Sequence, residues 1–372
     1  MWMPRTYQDA ASRWAGVGPY YAMFPVAFAD EVVRKYTRPG EVVLDPFAGR
    51  GTAVFSAATQ GRSAIGIEIN PVGYVYAKAK LNAATQDEVE LRLDELGDLA
   101  TQFKDEARRL PRFFHRCFSR RVRRFLVAAR ADLNWRRHKV DRTVMALLLV
   151  YMHGKMGAAL SNQMRQTKSM SPQYAVRWWD EHDLEPPNID PVAFVKARLR
   201  WRYAKGTPEA SSGRMYLGNS IQKLARLRQH VAEGLLARAN LLFTSPPYHA
   251  ITNYHYDQWL RLWLLGGPPN ALRNGNGRGG KFEAREGYRK LLERVVTQAV
   301  ELLEEDATIY VRTDSREFTY RTTLAILRKV FPDKRVSEVR RPMLRPSQTR
   351  LFRAGSTPAE TNGEVDLILR PR

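Results

Sequence analysis

Two apolar runs, each ending in a carboxylate and separated by a glycine-bearing turn and a single helix, constrain this chain more than anything else in it. Residues 41–45 read as a short buried strand ending in Asp45, residues 46–52 as a turn, residues 53–60 as a helix stopped by Gly61, and residues 63–68 as a second strand ending in Glu68. Asn70 and Pro71 then open a helical pattern from 72 to 81. Strands joined by a helical crossover run parallel, so this is a βαβ unit and the fold class is α/β. The same alternation resumes with a strand at 213–220, a helix at 221–234, a strand at 239–243, a helix at 288–303 and a strand at 307–313. Two last strand-like segments, 335–340 and 365–369, are close enough in sequence to predict an antiparallel edge.

Between about 83 and 210 the character changes. No strand or glycine motif occurs there, only helical stretches dense in Arg, Trp, Tyr and Met. The expected division is a first core part at 1–82, a mainly helical insertion at 83–212 and a second core part at 213–372. Charge points to the partner: 60 Lys and Arg against 38 Asp and Glu give a net charge of +22, which favours a polyanion, nucleic acid first. The longest apolar stretches, such as 145–151, are too short to span a bilayer, and the first residues lack a signal-peptide pattern. A soluble, cytoplasmic protein without membrane association is expected. Cys117 is the only cysteine, so cysteine-based metal clusters and internal disulfides are excluded, and no metal is expected.

The turn Asp45-Pro46-Phe47-Ala48-Gly49-Arg50-Gly51-Thr52 puts glycines where a backbone must approach a ligand closely, at the start of a helix. Glu68 closes the next strand, where a carboxylate can accept both hydroxyls of a ribose. Turn and acid together suggest an adenosine-containing cofactor. Val54 occupies the place of the third small residue of a dinucleotide fingerprint, which disfavours NAD. At the other end of the chain, Thr244-Ser245-Pro246-Pro247-Tyr248 follows the apolar run 239–243. Read bottom-up, it is either a strand with a proline turn or a site. As a site, Ser245 and the carbonyl of Pro246 are two acceptors aimed at one point, with Tyr248 as a flat partner, which suits an exocyclic amino group on a nucleobase.

The turn at 45–52 resembles the D-P-F-x-G-x-G-T loop of class I S-adenosylmethionine-dependent methyltransferases, and 244–248 resembles the [D/N/S]-P-P-[Y/F] motif of the amino-methylating DNA methyltransferases. The resemblance covers about 19–82 and 213 to the C-terminus and leaves out the insertion. It implies a Rossmann-like, seven-stranded, mostly parallel sheet, with S-adenosylmethionine as cofactor. Carried over by position, Asp45, Ala48, Gly49 and Gly51 would line the methionine moiety, Phe47 would pack beside the active site, Glu68 would hold the ribose, and Asn70 and Pro71 would edge the adenine, with Pro46, Phe47, Thr52 and Ile69 also in the implied cofactor set. Asn219 stands where the family has Asp, and with Ser220 and Thr244 it completes the implied cofactor set. The stretch 20–25, including Phe24, resembles the segment that closes over the methionine end; an aromatic helix start in the core is the alternative.

The resemblance implies a direct displacement at the target amino group, with Ser245, Pro246, Pro247 and Tyr248 as the catalytic set and the base flipped out of double-stranded DNA. Ser245 in the first motif position favours cytosine N4 over adenine N6. Methylation at cytosine carbon 5 needs a cysteine nucleophile, and Cys117 sits in a basic helical stretch instead. DNA contacts are expected from Arg165, Lys168 and Ser169 in the polar segment 161–172, and from His249, Asn253, Tyr254 and His255 after the catalytic motif. The first group is equally readable as a polar connection between helices. The arginines and lysines from Arg120 to Lys139 suit phosphate contact or a solvated face, and the glycine-rich run 274–280 a linker or lid. An RNA amino-methyltransferase and an inactive nucleic-acid-binding protein are the competing readings. A cognate restriction endonuclease or a solitary modification role both fit, and the oligomeric state is open.

Overall fold

β-Branched and leucine side chains dominate the runs at 42–44 and 64–67, and these runs form adjacent central strands buried on both faces. The structure, a computed structural model, describes residues 7–19, 24–210, 212–249, 254–271, 284–342 and 363–372. In chain order the elements are α1 (Ala10–Ala15), α2 (Val26–Tyr36), β1 (Val42–Asp45), α3 (Thr52–Thr59), β2 (Ser63–Glu68) and α4 (Pro71–Leu81). Helices α5 (Gln86–Leu99), α6 (Lys104–Arg109), α7 (Arg112–Cys117), α8 (Arg120–Asp132), α9 (Lys139–Tyr151), α10 (Pro172–Glu181) and α11 (Pro191–Tyr203) follow. Then come β3 (Gly213–Leu217), α12 (Ser220–Ala232), β4 (Ala239–Thr244), α13 (Tyr254–Asp257), α14 (Trp259–Leu264), α15 (Arg285–Val300), β5 (Leu303–Asp314), α16 (Glu317–Val330), β6 (Lys334–Pro342) and β7 (Gly363–Pro371).

The seven strands make one sheet in the order β3-β2-β1-β4-β5-β7-β6. β3, β2, β1, β4 and β5 pair in parallel, while β7 runs antiparallel to both β5 and β6. The expected Rossmann-like sheet and its antiparallel edge are therefore present. Strand order reverses direction between β1 and β4, and such a switch point leaves a crevice beyond the carboxyl ends of the two strands. The glycine turn follows β1 and the Ser-Pro-Pro-Tyr motif follows β4, so topology alone brings both to that crevice.

Residue contacts divide the chain into two units. One holds residues 21–74, 210–253 and 280–372, and the other 1–20, 75–209 and 254–279. The sequence boundaries at 82 and 212 differ from this: the helical unit also takes the first 20 residues and residues 254–279. The reason is apolar. In the helical unit Trp14, Trp259 and Trp263 are almost wholly buried, and the ring of Trp259 meets Phe113 and Phe114. Arg261 is fully buried there, donating to the carbonyls of Leu149 and Gln166 and to Gln258 Oε1. Helix α5 is started by Thr85, which accepts from Glu88 N while Glu88 Oε2 accepts from Thr85 N.

The core of the sheet unit is an apolar cluster of Val42, Leu44, Ile65, Ile67, Leu242, Ile309 and Val311 packed with Leu224, Leu292, Val296 and Leu327 from α12, α15 and α16. Helix α16 carries no motif and is absent from the sequence reading. On β2, Gly66 lets α3 and β3 press in: a Cβ there would lie 2.7 Å from Val54 Cγ2 and 2.3 Å from Met215 Sδ. We expect Gly66→Ala to destabilise the fold by about 1–3 kcal/mol in urea unfolding, as overpacking of a filled core does. An unchanged midpoint would contradict this packing.

Candidate active site

Asp45 is the last residue of β1 and Thr244 the last of β4, and the two are bonded: Thr244 Oγ1 donates to Asp45 Oδ1 at 2.6 Å. Both are buried. The same carboxylate oxygen accepts from Phe47 N at 3.1 Å, folding the turn back over the strand end. Gly49 and Gly51 take positive φ values of 54° and 71°, a region where a side chain would clash, which is why glycine is needed at both places. Ser220, expected as a cofactor residue, donates from Oγ to the carbonyl of Pro46 at 2.6 Å. It thereby ties the turn to the start of α12.

Glu68, at the end of β2, receives Gly49 N on Oε2 at 2.7 Å and Asn70 N on Oε1 at 2.6 Å. Each oxygen keeps a lone pair, so the residue holds the glycine turn in place and can still accept from a ligand. Gly73 allows this closeness: a Cβ on it would stand 2.5 Å from the carbonyl oxygen of Gly49. Burial raises the carboxyl pKa of Asp45 to about 7, against the lowering effect of Thr244. Burial also raises Glu68 to about 7, and the nearby Asp45 adds to it. Two desolvated carboxyl groups with spare acceptor capacity fit a ligand that brings hydroxyl donors and a positive charge.

Asn70 strengthens that fit. Its Oδ1 accepts from Val72 N, while Nδ2 is buried without a partner among the described residues. A buried orphan donor beside a ribose-type acid suits a heteroaromatic acceptor. Ile69, between the two, is 48% exposed and offers an apolar face. Asn219 has a second occupation: its side-chain oxygen caps α12, accepting from Ile221 N at 2.9 Å. One lone pair remains for the adenine contact expected of it. Phe24 stacks on Phe243 of β4 at 4.8 Å and meets Phe28 at 5.5 Å. This agrees with the aromatic-core alternative for its segment; residues 20–23 lie outside the described residues.

In the Ser-Pro-Pro-Tyr motif, Pro246 is buried and Ser245 and Pro247 are partly exposed. Tyr248 departs from expectation. It is 6% exposed and its phenol donates to Glu364 Oε1 at 2.9 Å, so the ring is a wall of the site rather than a free platform. Behind it stands an ion network that the sequence reading missed. Arg312 on β5 donates to both oxygens of Asp366 on β7, at 2.6 and 3.0 Å, and lies 3.2 Å from Glu364 Oε2. Burial alone would raise the Asp366 carboxyl; the hydrogen bonds and charge of Arg312, with Arg341, outweigh it and hold the group below its usual range. The signal was present as charges of opposite sign inside two apolar strands, but only the register pairs Arg312 with Asp366.

The DNA-contact candidates divide. His249 follows the motif in the sheet unit, its ring packed edge-on against Phe318 at 4.9 Å and its carbonyl accepting from Arg316. Asn253 lies outside the described residues, and of Tyr254 only the backbone, at the start of α13, is described. In the helical unit Arg165 is exposed and His255 partly so. Lys168 is paired with Asp257 at 2.7 Å. Ser169 is corrected: it is buried, its amide on the carbonyl of Asp257 and its hydroxyl 3.4 Å from His153 Nε2. With Asn162 bonded to the carbonyls of Arg116 and Leu184, segment 161–172 behaves as the polar connection between helices. Along α8, Arg121 pairs with Asp190, Arg123 and Arg130 donate to backbone carbonyls, and Arg120 is exposed; beyond the helix Arg136, Arg137 and Lys139 are exposed, Arg136 lying over the ring of Trp135. Cys117 is buried, and burial pushes its thiol well up, unlike a poised nucleophile. Among the described residues, no helix is long and apolar enough to cross a membrane.

Residues 1–79, which contain the glycine turn and Glu68, match the sequence profile described as DNA methylase. This segment is similar to the DNA methylases. The likeness to class I amino-methyltransferases drawn from the turn is thereby borne out. A type II methyltransferase of Citrobacter freundii is 39% identical over 54 residues, covering 14% of this chain and 18% of the relative. One from Streptomyces caespitosus is 38% identical over 65 residues, 18% of this chain and 21% of the relative. One from Methanocaldococcus jannaschii is 30% identical over 66 residues, 18% of this chain and 12% of the relative. The matched part thus spans a quarter or less of these relatives. Among solved structures, an S-adenosylmethionine-dependent methyltransferase from Agrobacterium tumefaciens overlays with a TM-score of 0.38 and 9% identity, covering 93% of this chain and 61% of that one. An rRNA methyltransferase from Streptomyces viridochromogenes gives 0.34 and 14%, covering 98% and 96%.

Asp45 and Glu68 make a pH prediction for the site. Their folded pKa values, about 7, lie above the ordinary 3.8 and 4.5, so between about pH 4 and 7 the folded state holds more protons than the unfolded. Stability from these groups is therefore present at low pH and lost as pH rises through that window. Urea midpoints of the ligand-free protein should show this slope, and Asp45→Asn with Glu68→Gln should flatten it.

Proposed function

We propose that this chain is a DNA methyltransferase that uses S-adenosylmethionine to methylate the exocyclic amino group of a base in double-stranded DNA, cytosine N4 favoured. One observation carries the reading: the Thr244–Asp45 hydrogen bond joins the turn built for the cofactor to the motif built for the amino group. On this reading cofactor and acceptor would meet in one crevice.

The residues present fit the cofactor. Glu68 would accept the ribose hydroxyls, Asn70 Nδ2 and Ile69 would meet the adenine, and ionised Asp45 would face the methionine ammonium beside the backbone of Gly49 and Gly51. Bound there, S-adenosylmethionine supplies an electrophilic methyl group on a sulfonium. The protein's part is orientation. Ser245 Oγ and the carbonyl of Pro246 accept the two amino hydrogens, which favours a pyramidal nitrogen whose lone pair is free to attack. Tyr248 and the prolines wall the base and exclude water. Because the target nitrogen is paired inside a duplex, the base must be flipped out to reach Ser245. The net charge of +22 supports a DNA partner, with Arg165, Arg120, Arg137 and Lys139 as exposed phosphate contacts. Ser245 supports cytosine over adenine.

The test is incubation with methyl-labelled S-adenosylmethionine and duplex DNA, followed by digestion to nucleosides. Label in N4-methylcytosine is expected. Label in N6-methyladenine would reassign the base, label confined to added RNA would reassign the substrate, and none in either would overturn the reading. Ser245→Ala should lower turnover by about 100-fold, as loss of one oriented polar contact does, with cofactor affinity little changed in calorimetry.

A further inference from the structure

Methylating an amino group leaves one proton too many on nitrogen, and the catalytic motif holds a row of oxygens that leads away from it. Ser245 Oγ is 3.5 Å from the phenol oxygen of Tyr248, and that phenol donates to Glu364 Oε1 at 2.9 Å. Glu364 is fixed from behind by Arg312, 3.2 Å from its other oxygen. Arg312 is fixed in turn by both oxygens of Asp366 and by the face of Phe28, whose centroid is 3.5 Å from the guanidinium carbon. Tyr248 is buried between a partly exposed Ser245 and Glu364, whose side chain is 25% exposed. The row therefore runs from the expected position of the target nitrogen to water.

We propose that Ser245, Tyr248 and Glu364 form the proton exit of the methyl transfer, with Glu364 as terminal acceptor and Arg312 as the residue that positions it. This rests on the amino-methylation reading above. The nitrogen lone pair forms the new N–C bond as the methyl–sulfur bond breaks with its electron pair on sulfur. One amino proton passes to Ser245 Oγ, the serine proton to the Tyr248 oxygen, and the phenol proton to Glu364 Oε1. Serine and tyrosine end neutral, as they began, and Glu364 returns its proton to water. Burial, with Glu364 adding to it, pushes the Tyr248 phenol well above its usual range, so tyrosine hands the proton on without resting as a phenolate. The 3.5 Å gap is of the loose kind that closes when a ligand fills a site.

A stacking or walling role for Tyr248 needs only its ring, which makes Tyr248→Phe decisive. Single-turnover rates, their pH profiles, and affinities for S-adenosylmethionine and for duplex DNA are measured for the full-length protein, Tyr248→Phe, Glu364→Gln and the double variant. The proposal expects each single variant to lose about 100-fold in rate, the size of a general acid–base contribution. It expects both affinities to stay within about threefold, the pH profile of Glu364→Gln to differ from that of the wild type, and the double variant to be no slower than either single. Full turnover in Tyr248→Phe, an unchanged pH profile in Glu364→Gln, or lost cofactor or DNA affinity in either would overturn the proton path while leaving the function standing. A wild-type protein that methylates no DNA would overturn the function itself.

Discussion

The hydrogen bond from Thr244 to Asp45 is the constraint on which the rest of the site depends. It joins the ends of two neighbouring parallel strands whose following loops diverge, and it does so in a buried place where an unpaired group would be costly. Asp45 cannot turn towards solvent without stranding Thr244, and Thr244 cannot move without shifting Ser245. Ser220 on Pro46, Glu68 on Gly49 and Gly73 beneath the turn repeat the same principle. Each spends a polar group or a missing side chain on holding backbone. The carboxylates that would greet a ligand are also the ones that shape the loop.

The helical unit uses its charges differently. Arg92 meets Glu95, Asp132 and Asp141, Arg116 meets Asp180 and Glu185, Lys196 meets Asp94, and Arg200 meets Glu90. Exposed pairs of this kind add little stability singly. They do neutralise cations that composition alone would assign to phosphate. A strongly basic chain therefore need not present a uniformly basic unit, and the cations left without carboxylates mark where a polyanion would be felt.

The sheet was legible because its rules are local. Apolar runs of strand length, glycines at a turn and helices between them fixed β1, β2 and β4 almost to the residue, and the connection lengths implied parallel pairing. The two motifs were legible because they sit at strand ends. What escaped was relational. Nothing in the sequence places Trp259 and Trp263 with Phe113 and Phe114, so the segment after the Ser-Pro-Pro-Tyr motif was assigned to the sheet unit. Ser169 looked like a contact residue because polarity in a loop does not reveal whether a hydroxyl faces solvent or His153. Tyr248 looked like a platform because Glu364 stands 116 residues away and meets it only through the pairing of β5 with β7.

That pairing has a consequence for how the molecule is made. β7 is inserted between β5 and β6, so the sheet is finished by residues 363–371 taking an interior place. A growing chain that has emerged only as far as β6 has two strands waiting with open edges and Arg312 without Asp366. Such edges invite pairing with other chains. Completion of the pocket is thus tied to β7: the carboxylates behind Tyr248 arrive with that strand, and a product lacking it would carry a formed glycine turn beside an unfinished and aggregation-prone wall at Tyr248.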